Sequence, residues 1–219
     1  MDSFLLTKIF SKIHNSIYAN DGLTKEEALN EFTKLIFLKI YAEKKKCTML
    51  SNLNINYYYE KCKNQYTQIF NSDDKINLDE NTIIEILKVL NLINFLSIKS
   101  DIKGLAFQNF LKEQKSDRGQ YFTPNIIIKM IISMIKKYFQ PTQKFIALDT
   151  AAGSGGFLYE IKNTFKNAEC IGIEINNKIA RLGKMRFALE DIDYNIIVSD
   201  TLKTNFDIKA DLIITNPPF

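Results

Sequence analysis

Asn216-Pro217-Pro218-Phe219 directly follows an apolar run, Asp211-Leu212-Ile213-Ile214-Thr215, that reads as a buried parallel strand. Neither proline donates a backbone hydrogen bond, and each fixes its own φ. Pro217 also holds Asn216 extended. The product is a rigid corner. It offers two acceptors, the Asn216 side-chain oxygen and a neighbouring backbone carbonyl, with an aromatic ring beside them. Such a corner can accept both hydrogens of a planar exocyclic amine while Phe219 stacks on the ring that bears it.

Three acidic residues make a second constellation. Asp149 ends the run Phe145–Asp149, Glu174 ends Glu169–Glu174, and Asp200 follows Asn195–Ser199. After Asp149 comes Thr150-Ala151-Ala152-Gly153-Ser154-Gly155-Gly156, a loop of small residues that lets backbone approach a ligand and opens a helix with an electropositive start. A dinucleotide enzyme would seat a pyrophosphate there, but Asp149 would repel phosphate, and a ligand bearing an ammonium fits better. An acid at the second strand end commonly accepts ribose hydroxyls. Glu174 alone equally reads as a solvated side chain, and Asp200 alone says less. Three successive strand ends carrying acids at the carboxyl edge of one sheet point to a nucleoside with an amino-acid tail, a description that S-adenosylmethionine meets.

These residues need strands alternating with helices. Strands are expected over 145–149, 169–174, 195–199 and 211–215, and helices over 125–138, 157–165 and 177–190. Alternation of this kind makes a right-handed parallel sheet. Pro124 suits the first turn of its helix. Residues 1–115 show no clear strand. Thr24 and Glu27 form a capping box for a helix running to about Lys44, and further helices are expected over 57–70, 82–96 (capped by Asp79 or Asn81) and 102–112. The fold class is therefore α/β, a Rossmann-like parallel sheet over 116–219 preceded by an all-helical domain over 1–115.

Composition excludes several alternatives. With 46% hydrophobic residues in 219, the chain can build a real core. It has neither a membrane-length apolar run nor a signal-peptide pattern, so a cytoplasmic location is expected. Cys47, Cys62 and Cys170 match no disulfide or zinc spacing, and Cys170 reads as a core residue. His14, the single histidine, is expected at the surface or at a helix cap, which leaves no metal site and no histidine-based relay. The net charge of +4 is compatible with a nucleic-acid partner but does not require one.

Taken in order, the motifs resemble those of N6-adenine DNA methyltransferases, specifically the modification subunit of type I restriction-modification systems. Gly119-Gln120-Tyr121-Phe122-Thr123-Pro124 is similar to that family's G-Q-[FY]-[FY]-T-P segment. Asp149 to Leu158 resembles D-P-A-C-G-S-G-G-F-L, with Thr150 and Ala152 in place of Pro and Cys. Gly172 to Asn176, Asp200-Thr201-Leu202, and Asp211 to Phe219 resemble the segments G-x-E-x-N, G-D-T-L and D-L-I-x-T-N-P-P-F.

The resemblance implies methyl transfer from S-adenosylmethionine to adenine N6 in DNA. It implies catalytic roles for Asn216, Pro217, Pro218 and Phe219. It implies cofactor contacts from Gln120, Tyr121, Phe122, Thr123, Pro124, Asn125, Asp149, Ala151, Gly153, Ser154, Gly155, Gly156, Glu174, Asp200 and Leu202. The implied partners are double-stranded DNA with a flipped adenine, a specificity subunit, a second modification subunit and a restriction subunit, with no membrane. Family members continue beyond the Asn-Pro-Pro-Phe corner, with strands that flank 211–215. A truncated chain is thus expected to need another polypeptide to supply that half, or to aggregate through an uncovered strand edge. Two other readings stand beside this one. One is an amino methylase acting on RNA or protein glutamine, which Gln120–Pro124 and the helical domain disfavour. The other is a split or decayed chain that binds cofactor or partner subunits without catalysis.

Overall fold

In the computed structural model, which describes residues 1–47, 49–113 and 123–218, the chain divides into two units, Met1–Lys115 and Ser116–Phe219. The first holds five α-helices among its described residues, α1 (Ser3–Asn20), α2 (Lys25–Lys44), α3 (Ile55–Gln65), α4 (Glu80–Leu90) and α5 (Ser100–Glu113), with a short 3-10 turn at Phe95–Ser97. The capping box forms as expected. Thr24 Oγ accepts from the Glu27 N–H, and the Glu27 carboxylate accepts from the Thr24 N–H. Every residue of α2 from Glu31 to Ala42 is buried, lysines included. Their charges are answered inside: Lys34 by Glu31 and the Lys75 carbonyl, Lys39 by Glu43 at 3.1 Å. The core of this unit is aromatic, with Phe32 4.6 Å from Phe110 and 5.3 Å edge-on from Phe10.

Four expectations need correction here, one being the helix expected over 82–96, which is capped by Asp79 and ends at Leu90. Helix α1, capped by Asp2, is absent from the sequence reading. His14 is neither a surface nor a cap residue. It is buried on α1, its ring edge-on to Phe110, and its Nε2 donates to the Lys25 carbonyl at 3.1 Å. Its Nδ1 lies 3.3 Å from Asn15 Oδ1, so both ring nitrogens have partners and the burial of this polar ring is offset. The helix expected over 57–70 stops at Gln65, because Tyr66 and Phe70 both turn in against Phe37.

The second unit is a parallel four-stranded sheet in the order β3-β2-β1-β4, with β1 at Ile146–Asp149, β2 at Glu169–Glu174, β3 at Asn195–Val198 and β4 at Leu212–Ile213. Three helices accompany it: α6 (Asn125–Ile135), α7 (Gly156–Thr164) and α8 (Asn177–Leu189). Ile128, Ile132, Phe157, Leu158, Ile161 and Phe187 from these helices form one core with sheet residues Ala147, Cys170 and Ile196. Leu148, Ile171 and Ile173 form a second cluster, against which Phe206, Ile208 and Ala210 of the β3–β4 connection pack.

Helix α6 ends before Tyr138, since Phe139 turns in to meet Phe145 at 4.2 Å. Pro124 stands at its N-cap rather than in its first turn. Strand β4 is shorter than the expected 211–215, although ladder bonds flank it at Asp211 N to Ile146 O and Ile214 N to Leu148 O, both 2.9 Å. Among the described residues no helix is long and apolar enough to cross a membrane.

Candidate functional site

All four strands point the same way, so their carboxyl ends share one edge. Asp149 is the last residue of β1 and Glu174 the last of β2, on adjacent strands. Asp200 lies two residues beyond β3, and Asn216 three beyond β4. The topology therefore brings the predicted acids and the predicted corner to one edge of one sheet.

The glycine loop is fixed by its own backbone. Ala152 N–H donates to the Ile173 carbonyl at 2.8 Å, tying the loop to β2. Gly153 N–H donates to Glu174 Oε2 at 2.8 Å, and Asn176 N–H donates to Glu174 Oε1 at 2.8 Å. The buried Glu174 carboxylate is thus held by two amides, and each oxygen keeps a lone-pair site for a ligand hydroxyl. Gly153 and Gly155 adopt φ of +55° and +76°, conformations that L side chains rarely take. A Cβ on Gly155 would lie 2.5 Å from the Phe187 ring, whereas a Cβ on Gly153 would meet nothing within 4 Å. The loop therefore turns a packed side to α8 and an open side at Gly153. Gly155 caps α7 with no side-chain bond, so the first amides of α7 carry no side-chain acceptor. Ala151 and Ser154 lie half-buried in the same loop.

Asp149 is almost fully buried, and burial pushes its carboxyl up to about 6. The Ala151 N–H, 3.1 Å from Oδ1, and the Thr215 hydroxyl work against that rise, and the nearby Glu174 charge adds to it. Asp200 is more open. It accepts from Leu202 N–H at 3.0 Å and pairs with Lys203 at 3.3 Å, a surface pair of small energetic worth. Leu202 itself is 96% exposed.

Thr123 and Asn216, 93 positions apart, meet directly: Asn216 Nδ2 donates to Thr123 Oγ1 at 3.1 Å. Pro124 and Asn125 start α6 beside them, and Pro217 and Pro218 are exposed. Gln120, Tyr121, Phe122 and Phe219 lie outside the described residues.

Three participants escaped the sequence reading. Thr215 faces Asp149. Thr201 Oγ1 donates to the Thr150 carbonyl at 2.7 Å, lacing the β3 loop to the glycine loop. Asn176 donates its amide to Glu174 and caps α8 through Lys178 N–H at 3.0 Å. Each lies next to or within a motif already singled out, and proximity to the motif is the signal that could have found it.

With a buried acid, a tethered acid, a loop open at one glycine and a corner offering an amide oxygen, the edge can take an elongated ligand with donors along its length. Residues 98–219, more than half the chain, match the family model described as N-6 DNA Methylase. The EcoKI type I restriction enzyme methylase subunit of Escherichia coli (strain K12) is 33% identical over 143 residues, covering 53% of this chain and 26% of that subunit. The type II methyltransferase M.CvrRI of Paramecium bursaria Chlorella virus XZ-6E is 33% identical over 118 residues, covering 53% of this chain and 29% of the viral protein. The matches thus span less than a third of either relative's length. A type I restriction-modification system methyltransferase subunit from Streptococcus thermophilus superposes with a TM-score of 0.72 at 14% identity, covering 100% of this chain and 64% of that one. At that identity, what the two share is the fold.

Proposed function

We propose a function from one premise: the chain belongs to the N-6 DNA Methylase family. It transfers a methyl group from S-adenosylmethionine to adenine N6 in DNA, as the modification subunit of a type I restriction-modification complex. Its partners there are a specificity subunit, a second modification subunit and a restriction subunit, and it works in the cytoplasm. The observation that supports the reading is the shared carboxyl edge, to which the parallel sheet brings Asp149, Glu174, Asp200 and the Asn216 corner.

The residues present fit the methyl donor. When bound, S-adenosylmethionine supplies an electrophilic methyl group on a positively charged sulfur. Asp149 holds the ammonium of the amino-acid tail, and the uncapped start of α7 faces its carboxylate. Glu174 accepts from the ribose hydroxyls, already oriented by the Gly153 and Asn176 amides. Asp200 accepts from the donor's adenine amine, and Leu202 covers its ring.

Adenine N6 is a poor nucleophile because its lone pair is delocalised into the ring. Asn216 Oδ1 and the Pro217 carbonyl each accept one N6 hydrogen, which favours a localised lone pair aimed at the methyl carbon. With the donor bound, its sulfonium methyl would be the carbon that N6 attacks, and the Asn216 and Pro217 acceptors would hold the two N6 hydrogens until one proton leaves to water. Positioning supplies most of the rate. The target base reaches the corner by leaving the duplex, and Phe219 is assigned to stack on it.

The test is labelled-methyl transfer to adenine-containing DNA by the chain together with its partner subunits. Asn216→Ala is expected to lower kcat by about 10²-fold, the scale of losing one preorganised contact to a reacting group. Undiminished transfer by that variant overturns the mechanism.

A further inference from the structure

The corner oxygen is useful only if it faces the substrate. Asn216 is exposed, and its side-chain amide presents either an acceptor or two donors depending on a half-turn about one bond. Facing the substrate with Nδ2 would set donor against donor at the N6 amine. In this structure Nδ2 donates to Thr123 Oγ1 at 3.1 Å, so the contact engages the amide nitrogen and not Oδ1.

Thr123 is well placed to hold that orientation. It is half-buried at the entrance to α6. Pro124 after it has a fixed φ of −57°, and its carbonyl accepts from Ile127 N–H at 2.9 Å and Ile128 N–H at 3.1 Å. Ile128 and Ile132 anchor the same helix in the core beneath the sheet. On the other side, Pro217 restricts Asn216. Both residues of the contact are therefore followed by a proline that restricts their backbone. When a base covers the corner, an amide N–H with no partner would lose its water, and Thr123 supplies the replacement acceptor.

We infer that Thr123 is a positioning residue for methyl transfer, setting the orientation of the Asn216 amide so that Oδ1, not Nδ2, meets the adenine N6 hydrogens. This rests on the functional reading above. It gives Thr123 a role toward the substrate that differs from the cofactor contact expected of its motif.

Two variants separate the possibilities. Thr123→Val keeps the shape and removes the hydroxyl, and Thr123→Ser keeps the hydroxyl. With the full chain and its partner subunits, Thr123→Val is expected to lower kcat about tenfold, the worth of one ordinary hydrogen bond, while calorimetric affinity for S-adenosylmethionine changes less than about twofold. Thr123→Ser is expected to restore the rate. Weakened donor affinity with unchanged kcat would make Thr123 a cofactor residue and overturn the inference. A second measurement does not need activity. In asparagine-labelled chain, the Asn216 side-chain amide resonance, identified through Asn216→Asp, is expected to shift in Thr123→Val and return in Thr123→Ser. A signal indifferent to both variants overturns the inference itself, whereas a wild-type complex that transfers no methyl group overturns the functional reading instead.

Discussion

Asp149 illustrates how a residue assigned to the site can be costly to the fold. Burial pushes its carboxyl up to about 6 from an ordinary value of 3.8. Between those values the folded state binds the proton more tightly than the unfolded one. The stability this residue contributes is therefore fullest at the acid end and is lost as pH rises through about 6. Asp149→Asn is expected to stabilise the ligand-free chain at pH 7.5 by about 1–3 kcal/mol, read by thermal denaturation. The same variant is expected to lose donor affinity, because the ammonium loses its counter-charge. In wild type that affinity is expected to fall as pH drops below about 6; a flat profile from pH 5 to 8 would refute the pairing. The placement of Asp149 was legible because a short apolar run that meets a small-residue loop marks a strand end. His14 was not, since the acceptor that permits its burial lies on another helix.

At the scale of the element, the loop from β1 to α7 makes opposite demands on two glycines. Gly155→Ala drives a methyl group into Phe187 at a positive φ, and a loss of about 2 kcal/mol or more in stability is expected. Gly153→Ala meets open space, so only the backbone strain of about 1 kcal/mol is expected, together with loss of donor binding as the methyl group fills the ligand's approach. Denaturant melts and calorimetry on the two variants check this. Equal effects on stability would contradict the assigned orientation of the loop. The sequence shows that the loop is rich in small residues but not which side is packed, because Phe187 comes from α8, over thirty positions away. Element ends were the weak point for the same reason. Phe139, Tyr66 and Phe70 leave their helical periodicity for rings that lie elsewhere in the fold.

Across the whole molecule, the fold class was readable because strand–helix alternation over a parallel sheet leaves a strong period signal, and the capping box marks a helix start with little ambiguity. Helix α1 lacks such punctuation and went unseen. A ligand that binds only the folded sheet unit stabilises it by mass action. S-adenosylmethionine at a hundredfold its Kd is expected to raise the unfolding free energy of that unit by about 2.7 kcal/mol, and Glu174→Ala is expected to abolish the gain. An unmoved melting midpoint in the wild-type chain would refute binding at this edge.

The order β3-β2-β1 sets Glu174 and Asp149 at the ends of neighbouring strands and Asp200 two residues past the end of the third. Strand spacing alone then sets the outer two of these three strands about 10 Å apart, two sheet intervals. The sheet is thus a ruler as well as a scaffold. A free purine nucleoside reaches two of its marks and a free amino acid one, so length itself becomes part of what the site selects.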